Sequence, residues 1–142
     1  MTRSVTVPLG PPPHTTPRMR WTGLLLSGIA VSFLVMDGTM KLLALDVVTQ
    51  ATAQLGFPGT AAFAERLGLL LLLCTALYAW PRTALLGAIL LTGYLGGAVA
   101  THVRLGNPLF THTLFGPYIG LLVWGGLFLR DARIRAAFAF SR

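Results

Sequence analysis

The sequence has few charged residues. Of its 142 residues, 11% are Asp, Glu, Lys or Arg, whereas 54% are hydrophobic. A water-soluble domain carries charge on about a quarter of its residues, so the composition excludes an ordinary cytosolic enzyme or nucleic-acid-binding module. Cysteine is also scarce: the single Cys74 lies within an apolar run, which excludes an intrachain disulfide and a CxxC redox pair. The class that remains is a small integral membrane protein.

The first twenty residues contain five prolines and three arginines but almost no large apolar side chains. Because proline lacks a backbone N–H and fixes φ, residues 1–20 are predicted to form a disordered, proline-rich cytoplasmic arm. An apolar run follows Arg20, as it would in a signal peptide. That run ends in Asp37-Gly38 without a small-x-small cleavage site, and further apolar segments follow, so a membrane span is favoured.

Four apolar segments follow the arm. Each is about long enough to cross a hydrocarbon layer of ~30 Å as a helix, and lipid requires a helix because it offers backbone groups no hydrogen-bond partner. The segments are Trp21 to about Leu45, Ala61 to Trp80, Thr83 to Val103, and a stretch from after Pro108 to Leu129. Pro117 predicts a kink or a late helix start in the fourth. The predicted fold class is therefore all-α, an integral membrane four-helix bundle over residues 21–136, followed by a short tail, 137–142.

The basic residues are distributed unequally between the two ends of these segments. One end has Arg3, Arg18, Arg20, Arg82, Arg130, Arg133, Arg135 and Arg142. The other end has Lys41, Arg66 and Arg104, partly matched by Asp37, Asp46 and Glu65. The positive-inside rule then predicts a multi-pass protein of the cell inner (plasma) membrane with both termini in the cytoplasm. Because the basic residues are scattered between apolar runs, no nucleic-acid partner is predicted.

The ionisable side chains away from the basic end fall at similar depths. With a rise of ~1.5 Å per residue, Asp37 lies ~26 Å above Arg20, and Glu65 lies ~26 Å above Arg82. On the same scale Lys41, His102, Arg104 and His112 lie at ~32, ~30, ~33 and ~27 Å. A charge facing lipid at mid-depth costs about 2.5–3.5 kcal/mol, so these groups are expected to turn inward and pair. The predicted ligand-binding residues are Asp37, Lys41, Glu65, His102 and Arg104.

Each of these residues also has a simpler interpretation. Asp37 and Lys41, at positions i and i+4, are typical of an ion pair that ends a helix. Glu65 is favoured electrostatically in the first turn of a helix. His102 and Arg104 are typical of interfacial residues at a helix end.

A metal site is not predicted. Glu65, His102 and His112 are all ligand types, but their spacing matches no recognised ligand pattern. The sequence also contains no nucleophile–base pair, so catalytic residues and enzymatic activity stay undetermined.

Glycines recur at helical spacing in the third and fourth segments. Gly93 and Gly97 lie about one turn apart with Gly96 beside them, and Gly116 and Gly120 repeat the spacing. Small residues let helix backbones approach closely in a membrane. The pattern predicts either tight packing inside the bundle or a homodimer face.

Four short patterns together resemble the DoxX-like family of membrane proteins. They are Asp37-Gly38-x-x-Lys41-Leu42, Glu65-Arg66-Leu67-Gly68, Gly97-Ala98-x-x-Thr101-His102-x-Arg104 and Arg130-Asp131-x-Arg133-Ile134-Arg135. The resemblance covers roughly residues 24 to 137. It implies a compact four-helix protein, with some relatives described as subunits of a thiosulfate:quinone oxidoreductase and others as assembly or oxidative-stress partners. It also implies functional roles for Lys41, Glu65, His102 and Arg104, whereas no flavin, haem or iron–sulfur pattern is present.

The predicted function is binding of a small ligand in an outward-facing polar pocket, or service as an accessory subunit of a membrane redox system. A quinone headgroup or a small anion suits the pocket, because Lys41, His102 and Arg104 can donate hydrogen bonds to oxygen and Glu65 can exchange a proton. One alternative is an assembly protein that packs against a partner membrane subunit. Another, a proton-coupled transporter, is disfavoured because no inverted repeat is visible.

Overall fold

A computed structural model describes residues 16–138. Within that range the chain contains no strand. Its helices are α1 (Pro17–Leu42), α2 (Asp46–Gln54), α3 (Ala61–Ala79), α4 (Ala84–Arg104), a π-helix (Leu109–Thr113), α5 (Phe115–Arg130) and α6 (Ala132–Phe138). Four stretches are long and apolar enough to span a membrane, namely α1, α3, α4 and the continuous segment Leu109–Arg130. The predicted all-α fold with four spans is thus confirmed, while residues 1–15 of the predicted arm and 139–142 of the tail lie outside the described residues.

The first span begins at Pro17, four residues before the predicted start at Trp21. The Thr16 hydroxyl accepts a hydrogen bond from the Met19 N–H, 3.4 Å away, and so caps the helix. Proline fits the first helical position because its missing N–H needs no partner there. Residues 17–20 therefore belong to α1.

The first span also ends earlier than predicted, at Leu42. Ala44 adopts a left-handed conformation, with φ 47°, which stops the helix. The chain then turns into the nine-residue helix α2, which is too short to cross a membrane. This helix was not predicted.

The last span confirms the expected late helix start at Pro117. The α-helix α5 begins at Phe115, so Pro117 lies in its first turn, where a missing N–H is tolerated. The π-helix Leu109–Thr113 precedes it. π-Helical turns are rare and occur frequently at functional sites.

The helix α1 packs against both α3 and α5, and α4 packs against the same two helices from the other side. The largest fully buried side chains lie where these helices meet: Tyr78, Leu71, Leu91, Leu127, Val123 and Thr75. Many side chains on the outward faces are large and apolar, as expected of helices that lipid surrounds.

Two close helix approaches use glycines at which the sequence analysis predicted no packing. A Cβ at Gly68 would lie 2.5 Å from the Leu42 nitrogen and 2.7 Å from the Gly38 carbonyl oxygen, so α1 and α3 meet backbone to backbone. A Cβ at Gly126 would lie 2.8 Å from the Ser27 nitrogen and 3.1 Å from the Gly23 oxygen, so α1 and α5 do the same.

Of the predicted packing glycines, only Gly116 packs inside the chain. A Cβ at Gly116 would lie 2.9 Å from Val99 Cγ2, which confirms a close approach of α4 and α5. A Cβ at Gly93, Gly96, Gly97 or Gly120 would meet no atom within 4 Å. Close packing within the bundle is therefore the wrong interpretation for these four glycines, because no other helix lies against them.

Candidate functional site

A cavity of about 510 Å³ lies between the helices, at the end of the bundle away from Pro17 and Arg130. Residues of α1, α2, α3, α4, the π-helix and α5 contribute to its wall. Most of the wall is apolar: Phe33, Leu34, Leu55, Phe57, Phe63, Leu67, Leu95, Ala98, Val99, Phe115 and Ile119. The volume falls in the range of small-molecule sites in proteins.

Polar side chains gather on part of the same wall. They are Asp37, Lys41, Thr52, Tyr94, Thr101, His102 and His112. Lys41 and Asp37 form an ion pair one turn apart on α1, and both are partly buried, with 20% and 36% of their side chains exposed. Mutual neutralisation reduces the cost of holding these charges away from bulk water. The cavity therefore combines an apolar body with a polar patch whose lysine is already paired.

Two histidines meet at this patch from different elements. His102 lies in the last turn of α4, and His112 lies in the π-helix. Their ring centroids are 5.7 Å apart with the planes at 62°, an edge-to-face arrangement. His112 Nδ1 lies 2.8 Å from the Thr111 hydroxyl. The loop that joins α4 to the π-helix thus folds back tightly enough to bring the two imidazoles into contact.

Three of the five predicted site residues line the cavity, namely Asp37, Lys41 and His102. Arg104 lies at the exposed end of α4 and does not line the cavity. Its guanidinium donates a hydrogen bond to the Leu55 carbonyl oxygen, 2.9 Å away. Leu55 is the C-cap of α2 and itself lines the cavity. Arg104 therefore links the end of α4 to the end of α2 and does not share the cavity wall with the other predicted residues.

Glu65 also lies outside the cavity wall, and its side chain is exposed. The neighbouring residues Phe63 and Leu67 line the cavity. At about 100° per residue, Glu65 lies roughly 200° around α3 from each of them, on the opposite face. Glu65 therefore does not share the cavity wall with His102, although the two lie at similar depths.

Sequence reasoning missed other residues of the wall. Thr52 is contributed by α2, which was not predicted, and Phe57 follows it in the loop. The Phe57 and Phe63 rings stack with centroids 5.4 Å apart. His112 was placed at the right depth but not assigned to the site. The contact between Phe57 and Phe63 could not be predicted, because their spacing in the sequence matches no regular pattern.

The fold is that of a multi-pass membrane protein with an internal, mostly apolar cavity between its spans. The chain belongs to the DoxX-like family, whose sequence model matches residues 25–126. The match confirms the resemblance noted from the four short patterns. No curated protein and no solved structure matches the chain.

Proposed function

We propose that the protein binds a small, lipid-soluble molecule with an apolar body and a hydrogen-bond-accepting headgroup, of which a quinone is the model case. The observation that carries the proposal is the 510 Å³ cavity with apolar walls and a polar patch. Sites of this kind use apolar surface for affinity and a few polar groups for orientation. Such a protein would serve as an accessory subunit that holds the molecule for a membrane redox system.

The electrostatics of the patch favour a neutral headgroup over a small anion. An unpaired positive charge would favour an anion, but Lys41 is paired with Asp37, and Arg104 lies outside the wall. The remaining donors suit a carbonyl oxygen, since the imidazole N–H of a neutral histidine and the Tyr94 hydroxyl can both donate to it. Glu65 takes no part in this proposal because it faces away from the cavity.

The orientation of the site follows from the charge distribution. The cavity lies at the end of the bundle away from Arg20, Arg82 and Arg130. If the arginine-rich end is cytoplasmic, as the positive-inside rule indicates, the polar patch lies near the outer surface of the inner membrane, with both termini in the cytoplasm.

A second candidate function is assembly with a partner membrane subunit or a second copy of the chain. The observation in its favour is the open space at Gly96 on α4 and Gly120 on α5, which lie outside the cavity wall and where a Cβ would meet no atom within 4 Å. Small residues on an uncovered helix face permit close approach of another helix.

A matched pair of variants on α4 separates the two functions. Gly97 lines the cavity and Gly96 does not, and neither Cβ would meet an atom within 4 Å. Both Gly97→Leu and Gly96→Leu should fold, with equal changes in helix propensity. Binding of a short-chain benzoquinone to the detergent-purified protein is measured by isothermal titration calorimetry.

We expect Gly97→Leu to weaken quinone binding at least tenfold and Gly96→Leu to bind like the parent. A parent protein that binds no quinone, or two variants that bind equally well, would contradict ligand binding in the cavity. A stoichiometric partner that copurifies with the parent and is lost from Gly96→Leu would instead support assembly.

A further inference from the structure

The side chain of Asn107 contacts a ring nitrogen of His102 just beyond the end of α4. The side-chain amide nitrogen of Asn107 lies 2.8 Å from Nδ1 of His102. An amide NH₂ group only donates hydrogen bonds, so Nδ1 must be the acceptor and must be unprotonated. The neutral ring then carries its proton on Nε2.

The backbone around Asn107 holds the amide in this position. Gly106 adopts a left-handed conformation, with φ 66°, that reverses the chain directly after α4. The Asn107 backbone N–H then donates to the His102 carbonyl oxygen, 3.1 Å away. The Thr113 hydroxyl donates to the Asn107 carbonyl oxygen over 3.4 Å. Both the main chain and the side chain of Asn107 therefore fold onto His102.

The ring of His102 also contacts a second side chain, that of His112. The edge-to-face contact with His112 limits its rotation, and the residue is partly buried in the cavity wall. With Nδ1 occupied by Asn107, Nε2 is the ring nitrogen left to interact with a ligand.

We propose that Asn107 is a positioning residue that fixes His102 in the Nε2–H tautomer, so that the site presents a donor to the cavity and selects ligands with a hydrogen-bond acceptor. The selection of a ligand rests on the proposed function, but the tautomer does not. The chemical class that fits is a neutral carbonyl compound, because its oxygen accepts without offering a competing hydrogen.

The tautomer is tested by ¹⁵N NMR of the full chain labelled at histidine, in detergent and at a pH where the rings are neutral. The chain contains His14, His102 and His112, and the His102→Gln variant identifies the signals of His102. In the parent we expect a pyrrole-type Nε2 and a pyridine-type Nδ1. A His102 protonated at Nδ1, or one exchanging evenly between the tautomers, would overturn the proposal.

Two substitutions of Asn107 sharpen the test. Asn107→Asp keeps the shape of the side chain but replaces the donor with a carboxylate acceptor, so the neutral ring should move its proton to Nδ1. Asn107→Ala should leave the two tautomers mixed. Thr111→Val is the control, because it removes a hydroxyl partner from His112 Nδ1 and should leave the His102 signals unchanged. A His102 that keeps its Nε2–H signals in both Asn107 variants would show that Asn107 does not set the tautomer.

Binding of a short-chain benzoquinone supplies the second readout. Loss of one ordered hydrogen-bond donor should weaken its affinity about threefold to tenfold in Asn107→Ala. Unchanged affinity in a variant with mixed tautomers would overturn the selection of acceptors. A parent that binds no quinone but shows the Nε2–H signals would contradict the proposed function and leave the role of Asn107 standing.

Discussion

The hydroxyl group of Tyr78 on α3 donates a hydrogen bond to the backbone carbonyl of Val123 on α5, across 2.8 Å. The same oxygen lies 2.9 Å from the Ser27 hydroxyl of α1, which can donate to it. The Tyr78 side chain is fully buried. One phenol oxygen therefore links three membrane-spanning helices within the buried core.

We expect Tyr78→Phe to lower the free energy of unfolding in mixed micelles by about 0.6–1.7 kcal/mol, from the average to the maximum found for hydrogen bonds between membrane helices. Tyr118→Phe, which removes the same hydroxyl from an exposed position on α5, is the control. Its effect should stay within about 0.5 kcal/mol. Equal effects of the two substitutions would show that the three-helix contact does not stabilise the bundle.

The crossing of α1 and α5 depends on the absence of a side chain at Gly126. A methyl group there would lie 2.8 Å from the Ser27 backbone nitrogen and 3.1 Å from the Gly23 carbonyl oxygen, so the helices would have to separate. Gly126→Ala should therefore destabilise the protein by about 1–3 kcal/mol, the usual cost of overpacking. Unfolding in mixed micelles measures this difference.

Gly120→Ala on the same helix is the matched control. No atom lies within 4 Å of a Cβ at Gly120, so alanine adds no clash there. Alanine also favours the helix over glycine, by up to about 1 kcal/mol. Gly120→Ala should be as stable as the parent or more stable, and a Gly126→Ala variant of equal stability would contradict the close crossing.

The ion pair between Asp37 and Lys41 should show coupling in a double-mutant cycle. Asp37→Asn or Lys41→Met alone leaves one charge at the partly buried wall without its partner. The double variant should be more stable than the sum of the two single effects predicts, with a coupling of about 0.5–1 kcal/mol. Unfolding at low and high salt measures the coupling and its screening. If the effects of the two single substitutions on the free energy of unfolding are strictly additive at low salt, the ion pair contributes nothing to stability.

The spans and the depths of their polar residues were predictable because both depend on distance along the chain. Four apolar runs of sufficient length give four helices, and a rise of ~1.5 Å per residue brings Asp37, Lys41 and His102 to one level. Pro117 marks the start of α5 because proline is tolerated only in the first turn. These features need no knowledge of how each helix is rotated.

The rotation of each helix about its own axis could not be predicted from the sequence. In lipid, the outward face of a helix is as apolar as the inward face, so periodicity gives little sign of which side faces the bundle. Glu65 therefore has the predicted depth but lies on the wrong face of α3. The contact of Asn107 with His102 could not be predicted either, because it depends on the turn at Gly106 and not on a sequence motif.

The position of Arg104 predicts a role in holding α2 over the cavity. Its guanidinium donates to the Leu55 carbonyl oxygen at the end of α2, and a Cβ at Gly56 would lie 3.1 Å from the same Nη2. Arg104→Leu removes this bond, so local opening of residues 46–60 should become more frequent. Amide hydrogen exchange in that segment should accelerate about threefold to tenfold, the equivalent of one hydrogen bond.

The exposed Arg66 on α3 provides the control, since Arg66→Leu removes the same charge and side-chain volume from outside the cavity wall. Exchange in residues 46–60 should be unchanged in that variant, and exchange in the core of α3 should be unchanged in both. Because Arg104 acts through Leu55, its loss should weaken quinone binding less than Gly97→Leu does. Equal exchange in the parent and Arg104→Leu would mean that α2 is held over the cavity by its apolar contacts alone.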